Sequence, residues 1–250
     1  MSEVLVIQSH RTPLPASWYQ HCVDSVRAWA DAHGFAYRWL DDALFDPLPV
    51  DIREKTAKAP VVAADLGRLY ALQAGLTEGY DCVVWVDADT LVLNATNLRL
   101  PAADHAFGRE IWVQEAGAKL KVYRKIHNAF MCFRQGNSVL EFYLFAAQRL
   151  LRRHNGPMVP QLIGPKFLTV LHNIVDFPVL ETAAMLSPLV IGDLLGRHTG
   201  ALRRFREAIE VTPAAVNLSG SMVLKGELAD ADMVAVIELL RREPALLGVE

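Results

Sequence analysis

Residues 83–93, VVWVDADTLVL, decide the fold expected for this chain. An apolar run ends at Asp87 and Asp89, and the chain becomes apolar again directly after Thr90. An ionised carboxylate is costly to bury unless it is paired, hydrogen-bonded or bound to a metal. The two aspartates are therefore predicted to lie at the end of a buried strand and to have a partner there.

Apolar runs and helical spacing alternate on the N-terminal side of this stretch. Strands are predicted at residues 3–7, 35–40 and 82–86, helices at residues 18–33 and 61–76, and a loop at residues 41–58. This alternation predicts an α/β fold with a mostly parallel central sheet flanked by helices on both faces.

The pattern after residue 95 is less regular. Strands are predicted at residues 111–113 and 129–133, an amphipathic helix at 139–152, an apolar strand-like run at 185–191 and a C-terminal helix at 229–241. We expect a single domain over residues 1–250, because 250 residues, 52% of them hydrophobic, supply one large core.

Composition disfavours several functional classes. A net charge of −3 gives no general attraction to nucleic acid or an anionic membrane. No apolar run is long enough to span a bilayer, and the N-terminus lacks the pattern of a signal peptide. Three dispersed cysteines are typical of a reducing compartment, so we expect a cytoplasmic protein.

The spacing of Asp87 and Asp89 indicates a metal site at the end of a strand. Ligands bind at the carboxyl ends of strands in open α/β sheets, and residues two apart in an extended chain point the same way. Two carboxylates suit Mg²⁺ or Mn²⁺, which commonly share phosphate oxygens with a substrate. The alternative is a turn in which the aspartates cap backbone amides.

Two stretches resemble known sugar transferases. Residues 85–93, WVDADTLVL, resemble the DxD segment of retaining GT-A-fold glycosyltransferases of the glycogenin and bacterial galactosyltransferase type. Residues 64–72, ADLGRLYAL, are similar to the helix that precedes the DxD in Och1-like and toxin glucosyltransferases. The resemblance implies a GT-A-like nucleotide-diphospho-sugar transferase fold with a nucleotide-sugar-binding half at residues 1–95 and an acceptor-side half at 96–250.

The same resemblance implies roles for named residues. Asp87 and Asp89 would bind Mn²⁺ (or Mg²⁺) and the donor diphosphate, while Asp65 and Arg68 would contact the donor sugar. Gln8 and Ser9, with His10 after them, would lie near the base and ribose, which is a positional expectation. Their alternatives are a surface ion pair for Asp65 and Arg68, and a solvated loop for His10.

Three further segments are compared with the family. Residues 127–131, HNAFM, resemble its "fNaGvm" strand, with Phe130 replacing the glycine, and Asn128 is a candidate contact to donor or acceptor. Residues 164–169, GPKFLT, resemble a "GP" segment near the sugar site, or form a turn before a helix. The catalytic residue is unknown; Gln161 and Asn128 are the candidates.

The third metal ligand departs from the family pattern. A late "HxxGxxKPW" element supplies a histidine there, whereas residues 216–223, VNLSGSMV, place Asn217 at that position and lack the Lys-Pro-Trp part. An amide oxygen binds Mn²⁺ more weakly than a charged or imidazole ligand. Ser219, Ser221 and His198 are alternatives.

The resemblance implies a metal-dependent hexosyltransferase that moves a sugar from a nucleotide-sugar donor, UDP-linked, to a hydroxyl of a saccharide or other acceptor, with retention. The alternatives are a phosphatase of the haloacid dehalogenase type and a glycosyltransferase-like protein that binds without turnover. Two basic clusters are expected to be solvated faces or, if they border the cleft, phosphate or anion contacts. They comprise Lys119, Lys121, Arg124 and Lys125, and Arg197, Arg203, Arg204 and Arg206.

Overall fold

A computed structural model describes residues 3–197 and 200–248 of the protein. The strands are β1 (Val4–Ser9), β2 (Ala36–Leu40), β3 (Cys82–Val86), β4 (Thr90–Val92), β5 (His105–Ala116), β6 (Lys119–Arg134), β7 (Val179–Met185) and β8 (Ala215–Asn217). The helices are α1 (Trp18–Ala32), α2 (Val50–Thr56), α3 (Pro60–Thr77), α4 (Ser138–Arg153), α5 (Pro165–Val175), α6 (Pro188–Leu194), α7 (Ala201–Ala208), α8 (Ser221–Leu224) and α9 (Asp230–Arg242). Single 3₁₀ turns lie at Asp42–Phe45 and Pro244–Leu247.

The central strands are apolar on both faces because helices cover both sides of the sheet. In β1, Val6 packs into a cluster with Trp29 of α1, whereas Ile7 packs into a cluster with Leu66 of α3. Strands β1, β2 and β3 are parallel, as the alternation of strands and helices predicts. Four of the seven strand pairings among the described residues are parallel, and the others involve β6 or β4.

The sheet is strongly curled, and the aspartate segment lies where the curl closes. The strand order is β2-β1-β3-β6-β5-β7-β8-β4, which puts β3 and β4 five strand positions apart. A flat sheet would separate them by about 24 Å. The four residue steps from Val86 to Thr90 span at most about 14 Å. The edge strand β4 must therefore return toward the carboxyl end of β3, bridged by residues 87–89 alone.

A long antiparallel hairpin, β5 with β6, forms the middle of the sheet. Only parts of it, residues 111–113 and 129–133, are predicted as strands from the sequence, because charged residues interrupt its apolar pattern. Pairing with β3 covers only residues 130–134 of β6. The rest of the hairpin, as far as the turn at Gly117 (φ 63°), extends past the carboxyl end of β3.

Two sequence predictions for secondary structure are wrong. Residues 41–58, predicted as a loop, contain the 3₁₀ turn Asp42–Phe45 and helix α2, and the Asp41 carboxylate accepts a hydrogen bond from the Ala43 amide at 3.0 Å. The apolar run 185–191 is not a strand, because β7 ends at Met185 and α6 begins at Pro188. Proline favours the first helical position, and periodicity alone does not separate a short buried helix from a strand.

Candidate functional site

Asp87 follows β3 and connects the sheet to helix α3. Its amide donates to the Ala129 carbonyl of β6 at 2.8 Å, and its carbonyl accepts from the Thr90 amide at 3.0 Å, which closes a tight turn. Its Oδ1 accepts from the Trp85 indole at 2.6 Å and lies 3.3 Å from Nη1 of Arg68. The side chain stays partly exposed, so the other carboxylate oxygen is left for a ligand.

Asp89, at the other end of the turn, is held by the last part of the chain. Its Oδ1 accepts from the Asn217 amide at 2.5 Å, and its Oδ2 accepts from the Gly220 backbone amide at 2.8 Å. Burial, together with the nearby Asp87 carboxylate, raises the pKa of Asp89 to about 6, against the hydrogen bonds from Gly220 and Asn217, which favour the charged form. The two carboxylates are therefore close enough for the charge of one to disfavour that of the other when no cation is present.

Asn217 holds Asp89 in position. The Ser219 backbone N–H, which can only donate, points at the Asn217 side chain at 2.9 Å, so the atom facing it is the amide oxygen. The amide nitrogen therefore faces Asp89 and also lies 3.3 Å from the Thr90 hydroxyl. In this arrangement the oxygen that a metal would need is already hydrogen-bonded.

The two aspartates are the only carboxylate pair at this turn. Across residues 3–197 and 200–248, no group of three or more histidine, cysteine, aspartate or glutamate side chains is arranged to hold a metal ion. A cation at Asp87 and Asp89 would therefore take its remaining ligands from water and substrate oxygens, as Mg²⁺ commonly does.

A buried network joins this turn to α3 and β6. Arg68 is only 7% exposed; its Nη1 donates to the Asn128 carbonyl at 2.9 Å, and its Nη2 lies 3.3 Å from Oδ1 of Asp65. The Asn128 amide also donates to Oδ1 of Asp65, at 2.9 Å. With the contact to Asp87, the guanidinium connects the two acidic segments that the sequence singles out.

One oxygen of this network has no partner. Asp65 is 3% exposed, and its Oδ2 forms no hydrogen bond with any described residue. Burial raises the pKa of Asp65 to about 6, while Arg68 and Asn128 favour the charged form. A buried oxygen without a donor is unfavourable, and a ligand hydroxyl would relieve that cost.

Gly164 lies directly against this free oxygen. A Cβ on residue 164 would stand 2.6 Å from Oδ2 of Asp65 and 3.0 Å from Nδ2 of Asn128. The segment is fixed from behind, because the Tyr143 hydroxyl of α4 donates to the Ile163 carbonyl at 2.7 Å. Pro165 then begins α5, so this segment is both the turn before a helix and a neighbour of the Asp65 network.

Replacing Gly164 by alanine is expected to displace the segment or the Asp65 carboxylate, since the added methyl group has no room. We expect a loss of stability of about 1–3 kcal/mol, the usual cost of overpacking. Urea unfolding of the wild type and the variant measures this loss. Unchanged stability in Gly164→Ala would contradict the packing described.

The formal charge of the assembled site is negative. Three carboxylates, Asp65, Asp87 and Asp89, surround one guanidinium, that of Arg68, giving −3 and +1, or −2 when all are ionised. Such a surplus attracts a divalent cation and is a cost to the protein without one.

The expected nucleotide-side residues lie on the same edge of the sheet. Gln8 is fully buried; its amide donates to the Asp87 carbonyl at 3.3 Å, and its oxygen accepts from the Tyr37 hydroxyl at 3.0 Å. Ser9 ends β1 and is partly exposed, as is His10, whose ring lies 4.8 Å from that of Tyr19. Gln8 therefore supports the Asp87 turn through its amide nitrogen, and its oxygen is held by the Tyr37 hydroxyl.

Other expected residues lie apart from the cluster. Gln161 is exposed, and none of its described contacts reaches the aspartates. The Ser219 hydroxyl donates to the Leu186 carbonyl at 2.8 Å, and Ser221 is exposed at the start of α8. His198 lies outside the described residues.

The basic clusters are largely paired at the surface. Arg124 forms ion pairs with Glu181 (3.1 Å) and Glu210, while Arg203 and Arg204 pair with Glu207 at 3.6 and 3.0 Å. Arg197 pairs with Asp232, and Arg206 donates to the Leu246 carbonyl at 2.6 Å. Lys119, Lys121 and Lys125 lie on the β5–β6 hairpin.

His127 is a buried residue whose role the sequence does not show. Its Nδ1 accepts from the Ala129 amide at 3.1 Å, so the ring proton is on Nε2, which faces the Ala183 carbonyl at 3.3 Å. A Cβ at Gly108 would lie 2.4 Å from this ring, so the glycine is what lets the ring fit. The only feature of the sequence that reflects this arrangement is a single glycine, Gly108, at the position that pairs with His127 on the neighbouring strand.

His127 is expected to remain neutral far below the usual range, because burial lowers its pKa to about 4. The unfolded chain then binds more protons than the folded one between about pH 4 and pH 6.5, so this residue's contribution to stability is lost as the pH falls through that window. Nitrogen chemical shifts across a pH titration measure the ring directly. A charged His127 ring at pH 6 would contradict the burial and hydrogen bonding described.

Comparison with known proteins supports the fold. No protein-family model matches the sequence, and no curated protein matches it. A crystal structure of a glycosyltransferase involved in the glycosylation of the major capsid of PBCV-1 is similar at TM-score 0.50 and 12% identity, over 94% of this chain and 99% of that one. This similarity shows a glycosyltransferase fold over nearly the whole chain, so the fold expected from the sequence is confirmed.

Two further solved structures are more distant. The galactosyltransferase LgtC, in complex with donor and acceptor sugar analogues, has a TM-score of 0.43 and 16% identity over 87% of both chains. The apo form of the glycosyltransferase GlyE from Streptococcus pneumoniae TIGR4 has a TM-score of 0.43 and 12% identity, over 98% of this chain and 64% of that one.

Proposed function

We propose that this protein is a metal-dependent glycosyltransferase that moves a hexose from a nucleotide sugar, UDP-linked, to an acceptor hydroxyl with retention of configuration. One observation carries the proposal: Arg68 joins Asp65 to Asp87, the first aspartate of the DxD segment, in one buried network. A capped turn alone would not require a buried arginine between two acidic segments distant in the sequence.

Asp87 and Asp89 would hold Mn²⁺ or Mg²⁺. The unpaired oxygen of Asp87 and the formal charge of −2 fit a hard divalent cation, which binds oxygen ligands. When bound, the metal would neutralise the donor diphosphate and stabilise it as a leaving group. Asn217 would act by orienting Asp89, because its oxygen is engaged by the Ser219 amide.

The Asp65 network would bind the transferred sugar. Its unpartnered Oδ2 would accept a hydrogen bond from a sugar hydroxyl, and the residue beside that oxygen, Gly164, has no side chain. Arg68 and Asn128 hold the carboxylate in place, so a hydroxyl bound there would be oriented without further side-chain ordering. Asn128 is the better placed of the two candidate catalytic residues, because Gln161 is exposed and apart from the network.

Retention would follow if the acceptor hydroxyl attacks on the face from which the diphosphate leaves. The C–O bond to the diphosphate breaks, the new glycosidic bond forms, and a phosphate oxygen takes the acceptor proton. This route needs no protein nucleophile. It leaves the protein the tasks of orientation and charge stabilisation, which the network of Asp65 and Arg68 suits.

Two general features accompany the proposal. No described helix of the protein is both long and apolar enough to cross a membrane. Cys22, Cys82 and Cys132 are buried free thiols, which supports placing the enzyme in a reducing, cytoplasmic compartment.

Calorimetric titration of UDP with Mn²⁺, and then with EDTA, tests the proposal. We expect UDP binding that requires the metal and is lost in Asp89→Ala. GDP and ADP are titrated in the same way to test the choice of nucleotide. Metal-dependent binding without release of sugar from any UDP-sugar would favour a binding protein without turnover. The absence of metal-dependent binding of every nucleotide would refute the metal site, and phosphatase assays would then be the next measurement.

A further inference from the structure

Glu110, on β5, is a carboxylate that the proposed reaction does not yet use. The residue is 8% exposed, yet no hydrogen bond or ion pair reaches its carboxylate from the described part of the chain. Its oxygens are not sealed from solvent, unlike Oδ2 of Asp65. The Lys125 ammonium acts on it only through space, and lies instead over the Tyr123 ring at 5.2 Å. A carboxylate in this position has acceptor capacity directed at something outside the chain.

Strand register places Glu110 on the same face of the sheet as the metal-binding turn. Glu110 is directly opposite Met185 of β7, and Met185 is directly opposite Asn217 of β8. Residues opposite each other on neighbouring strands point to the same face. Since the Asn217 side chain holds Asp89, the Glu110 side chain shares that face, two strand spacings or about 10 Å away.

The face continues outward along the hairpin with two aromatic side chains. Trp112 is directly opposite Tyr123, as Glu110 is opposite Lys125, so the four side chains lie on one face. Both aromatic residues are partly exposed, and neither the Trp112 indole N–H nor the Tyr123 hydroxyl is hydrogen-bonded to another described residue. Lys121 adds a second ammonium over the Tyr123 ring, at 4.7 Å. This surface combines flat apolar rings with unused donors and acceptors.

A saccharide matches that combination. One face of a pyranose ring is lined by C–H groups, which pack on an aromatic ring, while its edge carries hydroxyls that donate to carboxylates and accept from N–H groups. On this face Glu110 lies about 10 Å from Asn217, with Met185 of β7 between them.

We propose that Glu110, Trp112, Tyr123 and Lys125 form the acceptor subsite, and that the acceptor is a saccharide whose hydroxyls are bound by Glu110 and whose ring packs on Trp112. Describing this site as an acceptor subsite rests on the proposed transferase function. The saccharide contact itself rests only on the hairpin face.

Binding of the protein to a glycan microarray tests the subsite, and saturation-transfer NMR with the glycans that bind confirms the result. We expect each of two variants to weaken binding roughly tenfold or more: Glu110→Gln removes the charge from the group that binds the hydroxyls, and Trp112→Ala removes the ring on which the sugar packs. Glu115→Gln is the matched control, because Glu115 lies on the same strand, exposed, with its side chain on the opposite face. It is expected to bind as the wild type does.

A second readout separates this inference from the proposed function. Metal-dependent binding of UDP is expected to be unchanged in Glu110→Gln and Trp112→Ala. Glycan binding that persists in both variants, or a wild type that binds no glycan on the array, would overturn the subsite. Failure of UDP binding in the wild type, with glycan binding lost in the variants, would overturn the transferase and keep the saccharide site.

Discussion

Replacing Asp87 by asparagine is expected to lower the turnover of the nucleotide-sugar donor about a thousandfold or more, since a bound metal supplies several kcal/mol of charge stabilisation. Asparagine keeps an oxygen that can accept from the Trp85 indole and face Arg68, so the turn is retained. The change removes one negative charge and turns the free carboxylate oxygen into an NH₂ group, which does not bind Mn²⁺. Release of UDP from UDP-sugars, at saturating Mn²⁺, measures the effect.

The control for this substitution is Asp31→Asn, an exposed aspartate at the end of α1 that is remote in the sequence from the acidic turn. It removes the same charge from the chain and is expected to leave turnover unchanged. Turnover in Asp87→Asn within a few-fold of the wild type would show that Asp87 is not a metal ligand. The cation would then have to be placed elsewhere or removed from the mechanism.

The largest effect on stability is expected for Arg68→Ala. Arg68 is 7% exposed and neutralises two carboxylates, Asp65 and Asp87, one of them buried. Breaking a buried ion pair by removing one partner typically costs about 3–5 kcal/mol, because an uncompensated charge is left behind. Urea unfolding of the wild type and the variant measures this difference in the free energy of unfolding.

The pH dependence of that difference identifies its cause. Burial already raises the pKa of Asp65 to about 6, and removing Arg68 raises it further. A carboxyl whose pKa is higher in the folded than in the unfolded chain binds more protons when folded, so stability falls as the pH rises through the folded pKa. The deficit of Arg68→Ala is therefore expected to be larger at pH 8 than at pH 5.

Arg203→Ala is the comparison for this measurement. Arg203 also pairs with a carboxylate, Glu207, but at the surface of α7, where ion pairs contribute about 0–1 kcal/mol. We expect it to change stability little at either pH. Equal deficits for Arg68→Ala at pH 5 and pH 8 would mean that lost packing against Trp85, 5.3 Å away, and not the unpaired charge, explains the effect.

Sequence periodicity determines the N-terminal half of the fold well. Residues 82–86 form β3, and the helices predicted at 18–33 and 61–76 lie within a residue or two of α1 and α3. The strands there are short, apolar and parallel, with helices between them, so local pattern and final structure agree. The predictions fail at residues 41–58, at residues 185–191 and along the hairpin, where the local structure depends on which elements pack against the chain.

The sequence by itself determined that Asp87 and Asp89 end a strand, because apolar residues on both sides require one, and that Asp65 and Arg68 share a helix face, because they are three residues apart. Only the tertiary structure decided what these groups contact. The curl of the sheet returns β4 to the end of β3, which brings Asn217 and Gly220 onto Asp89 from more than a hundred residues away. Strand pairing through Met185 also sets Glu110 on the same face as Asn217. These contacts join strands that are far apart in the chain, so no local spacing in the sequence predicts them.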